Sequence, residues 1–262
     1  MIKDTEKYTV ITGASSGIGY ETAKMFAAKG SNLILIARRK DRLEMLKNEI
    51  LNLYPSLDIV IKIADLSVTE CVFKLYEDIK SYPLQTWINN AGFGNYDSVG
   101  NQNLEKIGQM LHVNVEALTI FSSLFVRDFK DTAGTQLINI SSCGGYTIVP
   151  NAVTYCAAKF YVSAFTEGLA WELKNSGAKM QAKVLAPAAT KTEFGKIAND
   201  VSEYNYDELF GDYHTSEQMA GFLLELYNSD KAVGLVDREK FTFHLCDPQF
   251  QYAGNSQHNQ KL

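Results

Sequence analysis

The sequence predicts an α/β fold: a doubly wound parallel sheet of about seven strands, with helices on both faces in three layers and a single domain. Three observations carry this. Short apolar, β-branched runs alternate with helical segments along the whole chain, and near-continuous apolar strands belong to a sheet covered on both faces. The first strand-to-helix junction is glycine-rich, Thr12-Gly13-Ala14-Ser15-Ser16-Gly17-Ile18-Gly19. Hydroxyl and amide side chains then fall at later strand ends, the edge where doubly wound sheets keep their ligands.

The elements follow in order. The apolar run from Tyr8 reads as a strand over 8–12, and the glycine turn opens a helix over 17–29. Glycines in such a turn have no Cβ, so backbone N–H groups and the helix N-terminus can approach a pyrophosphate. Asn32-Leu33-Ile34-Leu35-Ile36-Ala37 is the second strand, over 32–37, followed by a helix over 40–53. A strand over 58–63 precedes a helix over 68–80, and a strand over 84–89 ends in Asn89-Asn90-Ala91-Gly92. The helical run 103–129 is expected to break near Asn114. The strand over 135–141 runs into Ser142 and Gly144-Gly145. Helix 154–176, strand 180–186, helix 215–228 and strand 241–245 complete the series. Residues 1–251 read as one domain and 252–262 as a polar, frayed tail.

Composition narrows the function. Hydrophobic residues are 46% and charged residues 21% of 262, as in soluble globular proteins. The net charge of −5 argues against nucleic acid or an anionic membrane as partner. The charged start, Met1-Ile2-Lys3-Asp4-Thr5-Glu6-Lys7, lacks the apolar core of a signal peptide, and no apolar run is expected to approach a membrane span. Cys71, Cys143, Cys156 and Cys246 have no CxxC spacing and read as reduced thiols of a cytoplasmic protein. The four histidines show no ligand spacing, so no metal is expected.

A dinucleotide fold places an acid at the end of the second strand to hold the adenosine ribose 2′-hydroxyl. Here the position is Ala37, followed by Arg38, Arg39, Lys40 and Arg42. Four cations at a helix start oppose its dipole, and Asp41 and Glu44 offset them only partly. A docked phosphate resolves the conflict, and the planar fork of Arg suits it. NADP(H) is therefore favoured over NAD(H), with Arg38 the main contact and Arg39 beside it. Asp65, after the third strand, reads equally as an acceptor for the adenine amino group and as a turn acid.

Tyr155 and Lys159 are four apart at a helix start, so both project from one face. A cation roughly 4 Å from a phenol is worth up to about 4 kcal/mol at an effective dielectric of 20. That lowers the phenol by up to about three pKa units, towards a neutral operating pH. Ser142 lies thirteen residues before Tyr155, at a strand's carboxyl end.

The glycine turn, Asp65, Asn89-Asn90-Ala91-Gly92, Asn114 in His112-Val113-Asn114-Val115, Ser142 and Tyr155-Cys156-Ala157-Ala158-Lys159 together resemble the short-chain dehydrogenase/reductase family, in its compact branch. The resemblance implies a Rossmann-type sheet and reversible hydride transfer between nicotinamide and a carbonyl or alcohol carbon. It implies a catalytic set of Asn114, Ser142, Tyr155 and Lys159. Tyr155 is proton donor in reduction and base in oxidation; Lys159 holds the nicotinamide ribose and acidifies Tyr155. Ser142 bonds the substrate oxygen, and Asn114 seats a water that links Lys159 to solvent. The implied cofactor set is Gly13, Ser15, Ser16, Gly17, Ile18, Gly19, Arg38, Arg39, Asp65, Leu66, Asn90, Ala91, Gly92, Tyr155, Lys159, Pro187, Thr190 and Thr192.

Two departures from the family stand out. Ala188 follows Pro187 where Gly is usual, and Val233-Gly234-Leu235-Val236-Asp237-Arg238 replaces a Val-Asp-Gly-Gly segment. Residues 193–213 read as the flap over the substrate, with six acids, Lys196 and the aromatics Phe194, Tyr204, Tyr206, Phe210 and Tyr213. Such a lid favours a small, neutral and partly apolar substrate. A homodimer or homotetramer through the helices at 103–129 and 154–176 is expected by analogy. Two alternatives remain: a redox-sensing regulator that binds cofactor without turnover, which commonly lacks the Tyr or Lys, and an epimerase or dehydratase on the same fold, usually longer and with TGxxGxxG.

Overall fold

The computed structural model describes residues 6–254. A central sheet of eight strands is ordered β10-β9-β6-β5-β4-β1-β2-β3. The strands are β1 Tyr8–Thr12, β2 Asn32–Ala37, β3 Ile59–Ile63, β4 Leu84–Asn89, β5 Gln136–Ile140, β6 Gln181–Ala186, β9 Val233–Val236 and β10 Phe243–Cys246. All pair in parallel except β10, which runs antiparallel to β9. A separate pair, β7 Thr190–Lys191 and β8 His214–Thr215, brackets the flap. The direction of winding reverses between β1 and β4, and there the crevice for a ligand opens.

Alternation within each strand feeds two cores. Ile11, Leu33, Leu35 and Ile138 pack under α1 Gly17–Ala28, α2 Lys40–Leu53 and α9 Ser216–Asn228. Val10, Ile34, Ile36, Trp87 and Leu137 face α3 Thr69–Ile79, α5 Leu118–Phe129 and α6 Val153–Asn175 on the other side. Trp87 is fully buried against Tyr76, Phe121 and Phe125. Its Nε1 donates to Asn89 Oδ1 at 2.8 Å, and Asn89 Nδ2 donates to Asn139 Oδ1 at 2.9 Å. Asn139 Nδ2 in turn donates to Thr166 Oγ1 on α6 at 2.9 Å. This fully bonded polar chain fixes the carboxyl ends of β4 and β5 against α6.

Three expectations need correction. The strand expected at 241–245 is the antiparallel edge strand β10, and the seventh parallel strand is β9, which the sequence does not signal. Gly234 at its centre reads as a loop residue, yet a Cβ there would come within 2.9 Å of the Phe243 ring on β10. The helix at 103–129 does not break near Asn114: it stays continuous and only widens there into a π-helical segment, His112–Ala117, between α4 Leu104–Leu111 and α5. Finally, Leu104–Phe129 as one continuous helix is long and apolar enough to cross a membrane by length and composition. Scattered charges such as Glu116 hide this in the sequence. Met110, Phe121 and Phe125 of this helix are buried within the protein.

The expectation of a frayed tail falls partly on described residues: Tyr252 stacks on Trp171 with ring centroids 5.3 Å apart. The N-terminal residues 1–5 and the rest of the tail, 255–262, lie outside the described residues.

Lys183 on β6 is almost fully buried and donates to Leu226, Tyr227 and Ser229 carbonyls at 3.0, 3.0 and 2.7 Å. They lie at the end of α9, where Leu226 O also accepts from Ser229 N and Oγ at 3.2 and 2.9 Å and Tyr227 O from Gln136 Nε2 at 3.1 Å. Lys183→Met takes the ammonium from Ser229 O, leaves Leu226 O and Tyr227 O with their other donors, and also removes a buried charge. The net cost is expected at about 2 kcal/mol, read as a Tm lowered by roughly 4–8 °C in thermal unfolding. An unchanged Tm would mean the ammonium contributes nothing to the end of α9.

Candidate active site

The site begins at the turn between β1 and α1. Gly13 adopts φ +69°, and a Cβ on it would meet Ala91 Cα at 2.8 Å. Asn90 Nδ2 donates to Thr12 O and Gly13 O at 2.9 and 3.2 Å, while Thr12 Oγ1 accepts from the N–H groups of Asn90 and Ala91. These bonds hold the end of β4 against the glycine turn. α1 starts with no side-chain cap and no acid in its first turn, so its N–H groups and positive dipole end are left for an anion.

From this turn a cleft of about 1230 Å³ runs along the carboxyl ends of the strands. That exceeds the usual pocket for a drug-sized ligand, roughly 300–1,000 Å³, and suits an extended dinucleotide. Every residue expected at the cofactor lines it except Gly19, which is buried beneath Asn90. Ser142, Tyr155 and Lys159 line the same cleft. Glycines without room for a Cβ, an uncapped helix start and this cleft make the residues present a fit for a nicotinamide dinucleotide.

The two arginines after β2 differ. Arg38 is exposed, and its charge is one of the influences that hold the Asp65 carboxyl low, after the Ser67 hydrogen bond. Arg39 turns inward: Nη2 donates to Ser15 Oγ at 3.1 Å and to Ser16 Oγ at 2.8 Å. Arg39, not Arg38, is therefore tied to the glycine turn. Asp65 Oδ1 accepts from Ser67 N and Oγ at 3.0 and 2.8 Å, the turn-acid alternative.

Tyr155 and Lys159 stand one turn apart on α6, 7% and 5% exposed. Lys159 Nζ donates to Ile140 O at 2.8 Å and lies 5.9 Å from the centre of the Tyr155 ring. Ser142 Oγ accepts from Gly144 N at 3.0 Å, which leaves its O–H to donate. Asn114 is completely buried behind the cleft, with its amide bonded to both backbone groups of Phe93 at 3.1 and 2.8 Å. A Cβ on Gly92 would lie 3.0 Å from Asn114 Oδ1 and 3.6 Å from Lys159 Nζ, so both atoms border one point in the site.

The expected acidification of Tyr155 is not what its surroundings produce. Burial pushes the phenol well above its usual value, Tyr96 adds to this, and the Ser142 hydroxyl only partly opposes it. Burial also draws Lys159 down to about 8. Helical spacing brings the pair together, but the dry walls of the pocket disfavour charge on either group.

Those walls are aromatic. Phe194 and Tyr96 lie 5.4 and 6.2 Å from the Tyr155 ring, centroid to centroid. Tyr96 gives no signal in the sequence, because isolated aromatics in the Phe93–Asp97 loop show no periodicity. Of the six flap acids only Glu193 lines the cleft. Asp200 pairs with Lys106 at 2.7 Å, Asp207 pairs with Lys191 at 3.4 Å, and Glu203, Glu208 and Asp212 are exposed. Ala188 has no positive φ and is unstrained.

A family model described as short chain dehydrogenase matches residues 7–202. An uncharacterized oxidoreductase of Staphylococcus saprophyticus is 30% identical over 210 residues, 78% of this chain and 83% of that protein. Dehydrogenase/reductase SDR family member 11 of Gallus gallus is 32% identical over 206 residues, 75% of this chain and 79% of that protein. Among solved structures, a short-chain dehydrogenase from Sphingobium yanoikuyae in complex with NADPH superposes with a TM-score of 0.79 at 27% identity. It covers 87% of this chain and 86% of that one.

Proposed function

The chain belongs to the short-chain dehydrogenase family, and on that footing we propose that it is an NADP(H)-dependent reductase of a small, partly apolar carbonyl compound. The observation that carries the proposal is the meeting of Ser142, Tyr155 and Lys159 in the cleft that begins at the glycine turn.

When bound, the nicotinamide supplies the hydride to the substrate carbon. Tyr155 gives its proton to the substrate oxygen, and burial keeps that proton on the phenol at neutral pH, the form a donor needs. The Ser142 O–H bonds the same oxygen as charge builds on it. Lys159 takes the nicotinamide-side ribose hydroxyls, and its ammonium steadies the phenolate left after transfer. Asn114, bordering the same point as Lys159, takes the proton-return role. Pro187, Thr190 and Thr192 hold the nicotinamide end, while Asn90, Ala91, Asp65 and Leu66 border the adenosine side.

Preference for the 2′-phosphate is supported by Ala37, which offers a ribose hydroxyl no acceptor, and by two arginines directly after it. The apolar substrate class is supported by Tyr96, Phe194, Tyr204, Tyr206 and Phe210 along the cleft. The flap acids add no support for a neutral substrate, since five of the six do not line it. A homo-oligomer through α4, α5 and α6 is supported by exposed Leu111 and Tyr161 on those helices.

Paired fluorescence titrations test the proposal. A charge-assisted contact to the phosphate, worth roughly 1.5–3 kcal/mol, is expected to make NADPH bind about ten- to a hundredfold tighter than NADH. Tighter NADH binding would reverse the cofactor assignment, and binding of neither would end the proposal.

A further inference from the structure

Three separate elements meet at one guanidinium. Arg39, ahead of α2, donates from Nε and Nη2 to Ser15 Oγ at 3.3 and 3.1 Å and from Nη2 to Ser16 Oγ at 2.8 Å. Its Nη1 donates to Glu193 Oε1 at 3.2 Å, and Nη2 lies 2.8 Å from Glu193 Oε2. Glu193 thus holds the Arg fork with both oxygens, the arrangement that also suits a phosphate.

The position of Glu193 matters as much as its charge. It follows Thr192, whose Cγ2 is 3.0 Å from where a Cβ on Gly17 would lie, so the start of the flap rests on the phosphate turn. The next segment, α7 Phe194–Asn199, is fastened elsewhere. Lys106 Nζ donates to Ile197 O at 2.7 Å and pairs with Asp200, and Tyr96 N donates to Ala198 O at 2.8 Å. Arg39–Glu193 is therefore the clasp between the flap and the adenosine side of the cleft. Arg39 also holds Glu193 below the usual carboxylate range, so the clasp is ionic at neutral pH.

We propose that Glu193 is a cofactor-specificity residue: its carboxylate and the 2′-phosphate of the dinucleotide are alternative partners for Arg39. This deepens the NADP(H) reading and rests on it. A 2′-phosphorylated cofactor must displace Glu193 to reach the guanidinium and, in doing so, unfastens the start of the flap. A cofactor with a bare ribose leaves the clasp closed. Glu193 thus moderates the preference that the arginines create, and the adenosine end of the cofactor is read by the segment that covers the substrate.

The test uses the full chain and Glu193→Gln, which keeps the size of the side chain and removes its charge. Calorimetry with adenosine 2′,5′-bisphosphate and with AMP isolates the adenosine end, and NADPH and NADH are titrated alongside. Affinity for the 2′-phosphorylated members of both pairs is expected to rise about tenfold, against at most about threefold for AMP and NADH. In an Arg39→Gln background the same substitution should give no selective gain. Equal gains for both members of a pair, no gain, or a selective gain that survives without Arg39 each overturn the inference. If the unsubstituted chain binds neither NADPH nor NADH, the NADP(H) reading fails first and this inference with it. If it binds NADPH normally and only the selectivity is unmoved, this inference alone fails.

Discussion

Tyr155→Phe is expected to lower turnover by about a thousandfold while NADPH affinity stays within about threefold. The substitution removes one oxygen and keeps the ring, so the packing of Ile107, Met110, Phe93, Tyr96 and Phe194 around it is preserved. Lys159 keeps its bond to the Ile140 carbonyl and stays in place in the cleft. What is lost is the proton that burial holds on the phenol. Steady-state rates with a carbonyl panel, beside a fluorescence titration of the same sample, separate the two effects. Undiminished turnover with cofactor still bound would remove Tyr155 from the chemistry.

Gly19→Ala is expected to weaken dinucleotide binding by about a hundredfold, the scale of an ångström-sized misplacement in a site. The new methyl would lie 2.4 Å from Asn90 Nδ2 and 2.5 Å from Gly13 O, and both are backbone or tightly bonded neighbours. Relief requires Asn90 to leave the Thr12 and Gly13 carbonyls, which opens the glycine turn from below. Overpacking of this kind also costs about 1–3 kcal/mol of stability. Gly168→Ala on α6 is the control: nothing lies within 4 Å of its added Cβ, and it should gain up to about 1 kcal/mol. Binding of NADPH to the Gly19 variant at the unsubstituted affinity would show that the turn does not set the cofactor site.

Much of the fold was legible because its signals are local. Near-continuous apolar strands, helical segments between them and a glycine turn are read from a window of a few residues. Six of the seven expected strands fall within a residue or so of β1 to β6. The seventh slipped to the antiparallel β10, since Gly234 weakens β9 as a sequence pattern while serving the packing of Phe243 against it. An irregularity at Asn114 was also legible, but the sequence pointed to a break, whereas the helix runs on as a π-helical segment whose Asn114 amide bonds the Phe93 backbone.

The site divides in the same way. Tyr155 and Lys159 are a helical pair, and Ser142 ends a strand, so their types and places could be read directly. Arg38 and Arg39 look alike in sequence, and only Ser15, Ser16 and Glu193 mark out Arg39 as the inward one. Glu193 counted as one of six flap acids until its partner, 154 residues earlier in the chain, became visible.

The sequence by itself determined the doubly wound architecture, the glycine turn and the identity of the residues brought to the strand ends, because spacing and side-chain type suffice for these. Tertiary structure alone decided which arginine meets the glycine turn, which acid faces the cleft, and that Tyr155 holds its proton more tightly than a free phenol. Each of these depends on which distant groups and how much water surround a charge, and neither is written in a residue's neighbours along the chain.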